Sequence, residues 1–374
     1  MTALLDADPR ELRTLAATVG LLGCTLDAPR EPLEESDFAA LLQACAEDRI
    51  TGLLLESIET GRIPATDDQR QDSLEAHSAA MASCLRLDGF LVATHRLLVD
   101  AGITHRVLKG AAAAHLDYPD PSLRSYGDVD LLVRGTDIDA TVAALTHGGL
   151  TRCQPELRPG YDRRFGKGTT LVSPEGLELD LHRTFVSGPY AVLVSEADLW
   201  ADTDTFVLGG HAVQALAREA RLLHACFHAT VGTGQGPARL STVRDIVQLT
   251  LDPDLDPRAT LEMAGRWRAE AVVAHAVRVA WTTLQVADET TLSSWARRYA
   301  PDAWSARTLE VYRSGHSADA PGAWATLRTL AGWRERAGFL AAHLAPLSDA
   351  QGRSRHGSLT VRARRAWGGI RGPR

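Results

Sequence analysis

Apolar residues recur at three- and four-residue spacing over Leu12–Leu22, Phe38–Ile58 and Asp68–Ala101, which predicts three helices in the first hundred residues. The third is long and ends at Gly102, a residue suited to the left-handed turn that stops a helix. The period then changes. "ITHRVLKG" reads as a short strand entering a glycine turn, "AAAAHLDY" as a helix closed by Pro119 and Pro121, and "DVDLLVRG" as a second strand. "TDIDATVAALTHGG" predicts an amphipathic helix with Thr136 as its N-cap and Gly148 and Gly149 at its end. Two alternating runs in "GTTLVSPEGLELDLHRTF", joined by Pro174-Glu175-Gly176, predict a hairpin, and "TFVLGGHAVQAL" predicts another. From Arg218 onward the helical period returns.

This order predicts an α+β fold: a small mixed sheet flanked by helical regions on both sides in sequence. The expected divisions are a helical region over 1–102, an α/β core over 103–215, a helical domain over 216–349 and a basic tail over 350–374. From Gln351 the tail holds seven arginines and no acid, a composition expected to be disordered and dispensable for folding.

One strand poses a chemical problem. Asp128 and Asp130 stand two apart in an otherwise apolar run, so alternation puts both on one face, opposite Val129 and Leu131. In "GLELDLHR" the residues Glu178, Asp180 and His182 share a face in the same way. Three carboxylates on one sheet face repel one another and call for positive charge; a divalent cation with oxygen ligands answers that need. On this reading, neutralising Asp128 or Asp130 in the metal-free protein raises the melting temperature slightly, because repulsion is relieved. The alternative is a polar sheet face that meets only water.

Composition sharpens the picture at one point. Of the 40 basic residues only Lys109 and Lys167 are lysines, and both flank these polar strands. Arginine replaces lysine wherever either serves under a GC-rich genome, so these two positions are expected to need an ammonium. Strict alternation nonetheless aims Lys109 away from the aspartates. The chain of 374 residues is 45% hydrophobic, carries a net charge of −7 and has five scattered cysteines. Those values fit a cytoplasmic protein of two or three domains and argue against nucleic acid, a disulfide framework or a zinc knuckle. No apolar stretch reaches the length of a membrane span, so no membrane partner is expected. "GKGTT" at Gly166 lacks P-loop spacing, although Lys167 remains a candidate for phosphate. His224 and His228, one helical turn apart, lack the glutamate of a zinc protease and read as core or interface residues.

The sequence "VLKGAAAAHLDYPDPSLRSYGDVDLLV", followed by "LELDLHRTF", resembles the polymerase-β-like nucleotidyltransferase superfamily. Within it, the chain is similar to a bacterial group of uncharacterised nucleotidyltransferases, well over Ile103–Phe185 and loosely over later helices such as "STVRDIVQL". The resemblance implies an ATP-type nucleoside triphosphate as co-substrate, two Mg²⁺ ions with Mn²⁺ as alternative, and transfer of a nucleoside monophosphate with release of pyrophosphate. It implies that Asp128, Asp130 and Asp180 hold the metals, with Asp180 as base toward the acceptor. Lys109 and Gly110 would serve the phosphates, Arg124 would be a phosphate ligand or form a salt bridge, and His182 would order Asp180 or meet nucleotide. The acceptor is left open among small molecules, peptides, natural-product intermediates and proteins. The chain departs from the superfamily at Ala111, where a serine usually follows the glycine. That departure keeps a second reading open, a catalytically inactive fold that acts as a binding or scaffold module.

Overall fold

The computed structural model describes residues 9–21, 26–156, 160–231, 238–314, 320–330 and 332–344. The basic tail lies outside them. Seven strands form one mixed sheet: β1 His105–Leu108, β2 Val129–Val133, β3 Thr151–Arg152, β4 Gly168–Val172, β5 Glu178–His182, β6 Thr203–Leu208 and β7 His211–Leu216. Their order across the sheet is β3-β4-β5-β2-β1-β7-β6. Strands β2 and β5 run parallel, as do β1 and β7, while β1 and β2 are antiparallel. Both expected hairpins are present, β4–β5 and β6–β7. The latter turns through Gly209 and Gly210, whose φ values of 55° and 80° are left-handed. Helices flank the sheet in sequence on both sides, so the fold class is the expected α+β. Among the described residues no helix is long and apolar enough to cross a membrane.

Alternation gives the sheet two unlike faces. Val107, Leu131, Leu179 and Leu181 pack against Leu87, Leu91 and Leu98 of the helix Asp67–Asp100 and Leu145 of the helix Ile138–His147. The opposite face carries Leu108, Leu132 and Leu216, which join a second core. That core draws together helices from both ends of the chain. Leu12, Leu15 and Leu53 share it with Leu223, Val243, Ile246 and Val273. A buried Arg244 ties the ends further, donating from Nη1 to the carbonyls of Ala17 and Val19, each at 2.9 Å.

Two local expectations are corrected. The periodic run Phe38–Ile58 is two helices, Glu35–Glu47 and Thr51–Glu59, broken where Arg49 takes a left-handed φ of 60°. The break is bonded: Ile50 N–H reaches back to the Cys45 carbonyl at 2.9 Å, which satisfies the helix end without a glycine. Thr136 is not an N-cap. Gly135–Asp137 forms a 3₁₀ turn ahead of the helix, and the Thr136 hydroxyl donates to the Asp137 carboxylate instead.

One glycine fixes the strand pairing beside the site. A Cβ on Gly168 would stand 2.1 Å from the Leu181 carbonyl oxygen, a backbone atom that cannot swing aside. Only glycine lets β4 close on β5 there, opposite His182.

Candidate functional site

The register of three strands builds the site. Leu108 at the end of β1 faces Asp130 on β2, and Asp130 faces Asp180 on the parallel strand β5. Asp130 and Asp180 therefore stand side by side on one face, with His182 one step further along. The ligand atoms of these three residues lie within 4.8 Å of one another, the one such cluster among the described residues.

Lys109 enters the site against simple alternation. Its φ of 44° is left-handed, and that turn swings the ammonium back over β2. The Nζ donates to Asp130 Oδ1 at 2.6 Å. Gly110 follows with non-helical angles and pressed against Tyr126, whose Cβ would lie 2.9 Å from any Cβ added there. The Lys-Gly pair thus shapes the step from strand to helix.

His182 Nε2 lies 2.7 Å from the same Oδ1 of Asp130. Burial alone would raise the Asp130 pKa, but the charge of Lys109 and the hydrogen bonds from His182 and Lys109 drive it well below the usual carboxylate range. Burial pushes His182 the other way, below its ordinary value; Asp130 opposes the shift and both lysines reinforce it. A neutral ring facing an ionised carboxylate carries its proton on Nε2. That leaves Nδ1 as a buried lone pair, and it has no hydrogen-bond partner. Asp180 is half-buried, and its Oδ1 accepts from the Thr170 hydroxyl at 2.6 Å.

Asp128 stands apart from this cluster. It precedes β2, is partly exposed, and pairs with Arg49 at 3.3 Å. Arg49 is the residue at the broken helix, and Gly127 makes room for it: a Cβ there would lie 2.6 Å from Arg49 Nη2. Arg124 is buried and engaged. It holds Asp245 with two parallel bonds of 2.9 Å, Nε to Oδ1 and Nη2 to Oδ2. This salt bridge is an interior one, linking the motif region to the helix Leu240–Thr250.

Asp130 itself is buried and lines no cavity, but its partners line two, Lys109 the smaller and His182 the larger. The smaller, of about 90 Å³, is lined by Lys109, Gly110, Arg124, Asp128, His224 and His228, among others. The larger, of about 680 Å³, is lined by Asp180, His182 and Lys167 together with Arg183, Phe165 and Phe339. The two lysines of the chain thus meet at one site from two directions. Lys167 is held below the ordinary lysine range by partial dehydration and by the charge of Lys109, against the pull of Asp130 and Asp180.

Several of these groups were beyond sequence reasoning. Arg49 carries no motif, and its one signal is the glycine before Asp128 that its approach requires. Asp245 lies in the "STVRDIVQL" stretch, whose aspartate gains meaning only once Arg124 is buried. Thr170 is placed by the hairpin register opposite Asp180.

The buried histidines make a pH prediction. Burial depresses the pKa of His105, His182 and His224, the last also through Lys109 and His228. A depressed folded-state pKa gives stability that is complete above the unfolded value near ~6.5 and is lost as pH falls below it, by up to ~1.4 kcal/mol per pH unit per histidine. Asp130, also depressed, contributes above its unfolded value near ~3.9 and yields only in stronger acid. The melting temperature is therefore expected to fall between about pH 6.5 and 4.5, with Asp117, whose carboxyl burial raises to about 6, opposing part of the fall. His224→Phe, which keeps a ring stacked on Phe185, should flatten that slope. A flat wild-type profile across this range would refute the assignment.

Comparison with known proteins decides the family. Residues 34–285, more than half of the chain, match the family described as "Uncharacterised nucleotidyltransferase". The chain belongs to this family. The family's span begins at the helix carrying Phe38 and includes Arg49, the whole sheet, and Asp245. Among solved structures, the chain is similar to an antigenic nucleotidyltransferase-like protein from Paracoccidioides brasiliensis, at 16% identity and a TM-score of 0.33, over 54% of this chain and 94% of that one. No curated protein matches.

Proposed function

We propose that this family member is a divalent-metal-dependent nucleotidyltransferase, moving a nucleoside monophosphate from a nucleoside triphosphate such as ATP to an acceptor. The observation that carries the reading is the direct pairing of Asp130 with Asp180 across parallel strands, with His182 beside them and with Asp180 and His182 lining the larger cavity. The donor set fits a divalent cation: the carboxylates of Asp130 and Asp180 and the His182 imidazole, whose Nε2 would have to exchange its proton to Asp130 for the metal. Carboxylate oxygens suit Mg²⁺, whereas a nitrogen donor favours Mn²⁺, which makes Mn²⁺ a co-equal candidate. Such a cation, held by Asp130, Asp180 and His182, would supply charge neutralisation for phosphate oxygens and activation of an attacking hydroxyl.

The remaining roles belong to the chain itself. Lys109 and the Gly110 turn face the smaller cavity, whose size suits phosphate groups rather than a whole nucleotide. Asp180 faces the larger cleft, where it is placed to take a proton from the acceptor, with Thr170 fixing its carboxylate. Free cysteines at 45, 84, 153 and 226 suit a reducing compartment, the cytoplasm in this proposal.

Calorimetric titration of the full chain with each nucleoside triphosphate, with and without Mg²⁺ or Mn²⁺, tests the reading. Metal-dependent binding of at least one is expected, and none at millimolar concentration would sink it. Lys109→Arg is expected to raise KM for the triphosphate about tenfold, because a planar fork cannot replace a point ammonium on Asp130. An unchanged KM would make Lys109 structural.

One observation favours the scaffold reading. Lys109 balances Asp130 and Arg49 balances Asp128 within the chain, and Ala111 offers no hydroxyl. A stable fold that binds neither metal nor nucleotide would establish it.

A further inference from the structure

The larger cleft is electrically polarised along the β4–β5 hairpin. At one end stand Lys167 and Arg183, whose backbones adjoin through a hydrogen bond from Arg183 N–H to the Lys167 carbonyl at 2.9 Å. At the other stands Glu178, four residues down β5 from His182 and roughly 13 Å away at strand rise. Asp180 lies between.

Neither cation has a direct ion pair among the described residues, although Asp130 and Asp180 act on Lys167 and Glu196 acts on Arg183. Lys167 is exposed to the cleft and forms no ion pair with the described residues. Arg183 is half-buried; its Nε donates to the Gly166 carbonyl at 3.2 Å, while Nη2 has no partner. Arg152 in the same cleft, by contrast, is paired with Asp162. Neither Lys167 nor Arg183 is neutralised by a direct partner, so this end of the cleft keeps a positive potential that an anion relieves. The dehydration that lowers the Lys167 pKa points the same way. The same cleft has an apolar wall, where Phe165 meets Phe339 edge-on at 5.6 Å.

We infer that the acceptor admitted by this cleft is a small molecule with an anionic group, a phosphate or a carboxylate, received by Lys167 and Arg183, and an apolar body seated on Phe165 and Phe339. The inference rests on the nucleotidyl-transfer reading for the word acceptor; the anion site itself does not. A bounded cleft of about 680 Å³ has the size of small-molecule sites, and a chain of net charge −7 is unsuited to a polyanion. The placement leaves the smaller cavity, beside Lys109, for the triphosphate.

The test uses the full chain and two probes, inorganic phosphate and acetate, titrated by calorimetry with and without saturating α,β-methylene-ATP and Mg²⁺. At least one probe is expected to bind the wild type under both conditions. Lys167→Gln and Arg183→Gln should each weaken it tenfold or more. Equal affinity in wild type and both glutamine variants overturns the inference. Loss of probe binding whenever the nucleotide is present also overturns it, because the cleft is then the nucleotide's own seat. Failure of the nucleotide to bind at all sinks the nucleotidyl-transfer reading instead. In that event the titration without nucleotide decides the anion site, which stands if the two variants weaken it and falls if they do not.

Discussion

Asp130→Asn is expected to lower metal-dependent triphosphate turnover by about a thousandfold or more, ~4 kcal/mol of barrier, and to destabilise the protein as well. The first effect follows from the position of Asp130, paired with Asp180 on one side and facing Leu108 and the Lys-Gly turn on the other. The second reverses the expectation from sequence alone. Two neighbouring aspartates predict relief of repulsion on neutralisation, but Asp130 is buried and already carries Lys109 and His182 on Oδ1. Asparagine keeps the shape and can still accept one bond, yet it leaves the Lys109 ammonium without its counter-charge. Removing one partner of a buried pair costs about 3–5 kcal/mol in the severe cases; retained shape and the partial exposure of Lys109 bring the expected loss nearer 1–3. Asp128→Asn should cost under ~1 kcal/mol, since its pair with Arg49 is partly solvated. Thermal melts of the two variants, run beside turnover assays, read both effects. Wild-type turnover by Asp130→Asn at saturating metal would remove the metal-site reading.

Asp180→Asn is expected to separate binding from chemistry. Asp180 is half-exposed, its bond from Thr170 survives in asparagine, and the fold should change by less than ~0.5 kcal/mol. Triphosphate binding, which the proposal assigns to the Lys109 side, should persist, while pyrophosphate release with the true acceptor should fall about a thousandfold. Calorimetry and a pyrophosphate assay on the same preparation decide it. Loss of both functions with the fold intact would show one shared cation site rather than two roles. Retention of both would leave β5's polar face in contact with water only.

The alternating strands were legible because period two leaves little choice about faces. Val129, Leu131 and Leu179 had to point to a core, so Asp130, Asp180 and His182 had to share the other face. What sequence could not supply was register between distant strands and contacts across long separations. Asp130 opposite Asp180 is a pairing of residues 50 apart, Arg124 reaches Asp245, and Arg49 reaches Asp128. Lys109 escaped alternation because its backbone turns left-handed without a glycine, which propensity disfavours. The helix break at Arg49 failed for the same reason, since no glycine or proline marks it. Lys167 was visible only as a compositional oddity, and the β4–β5 hairpin gave that oddity a location.

The core shared by the two ends of the chain bears on how the protein acquires its form. Leu12, Leu15 and Leu53 complete their packing only against residues such as Val243 and Ile246, 190 to 234 positions later. Contacts of such separation slow the search for the native state, because loop closure must precede the burial that rewards it. During synthesis the opening helices therefore wait with apolar faces uncovered until the chain has passed Thr250. Asp48 caps Leu240 N–H at 3.0 Å and Arg124 finds Asp245 only then. A molecule built this way has its candidate site braced last, so nascent or truncated chains carry the aspartates without the support that holds their neighbours in place.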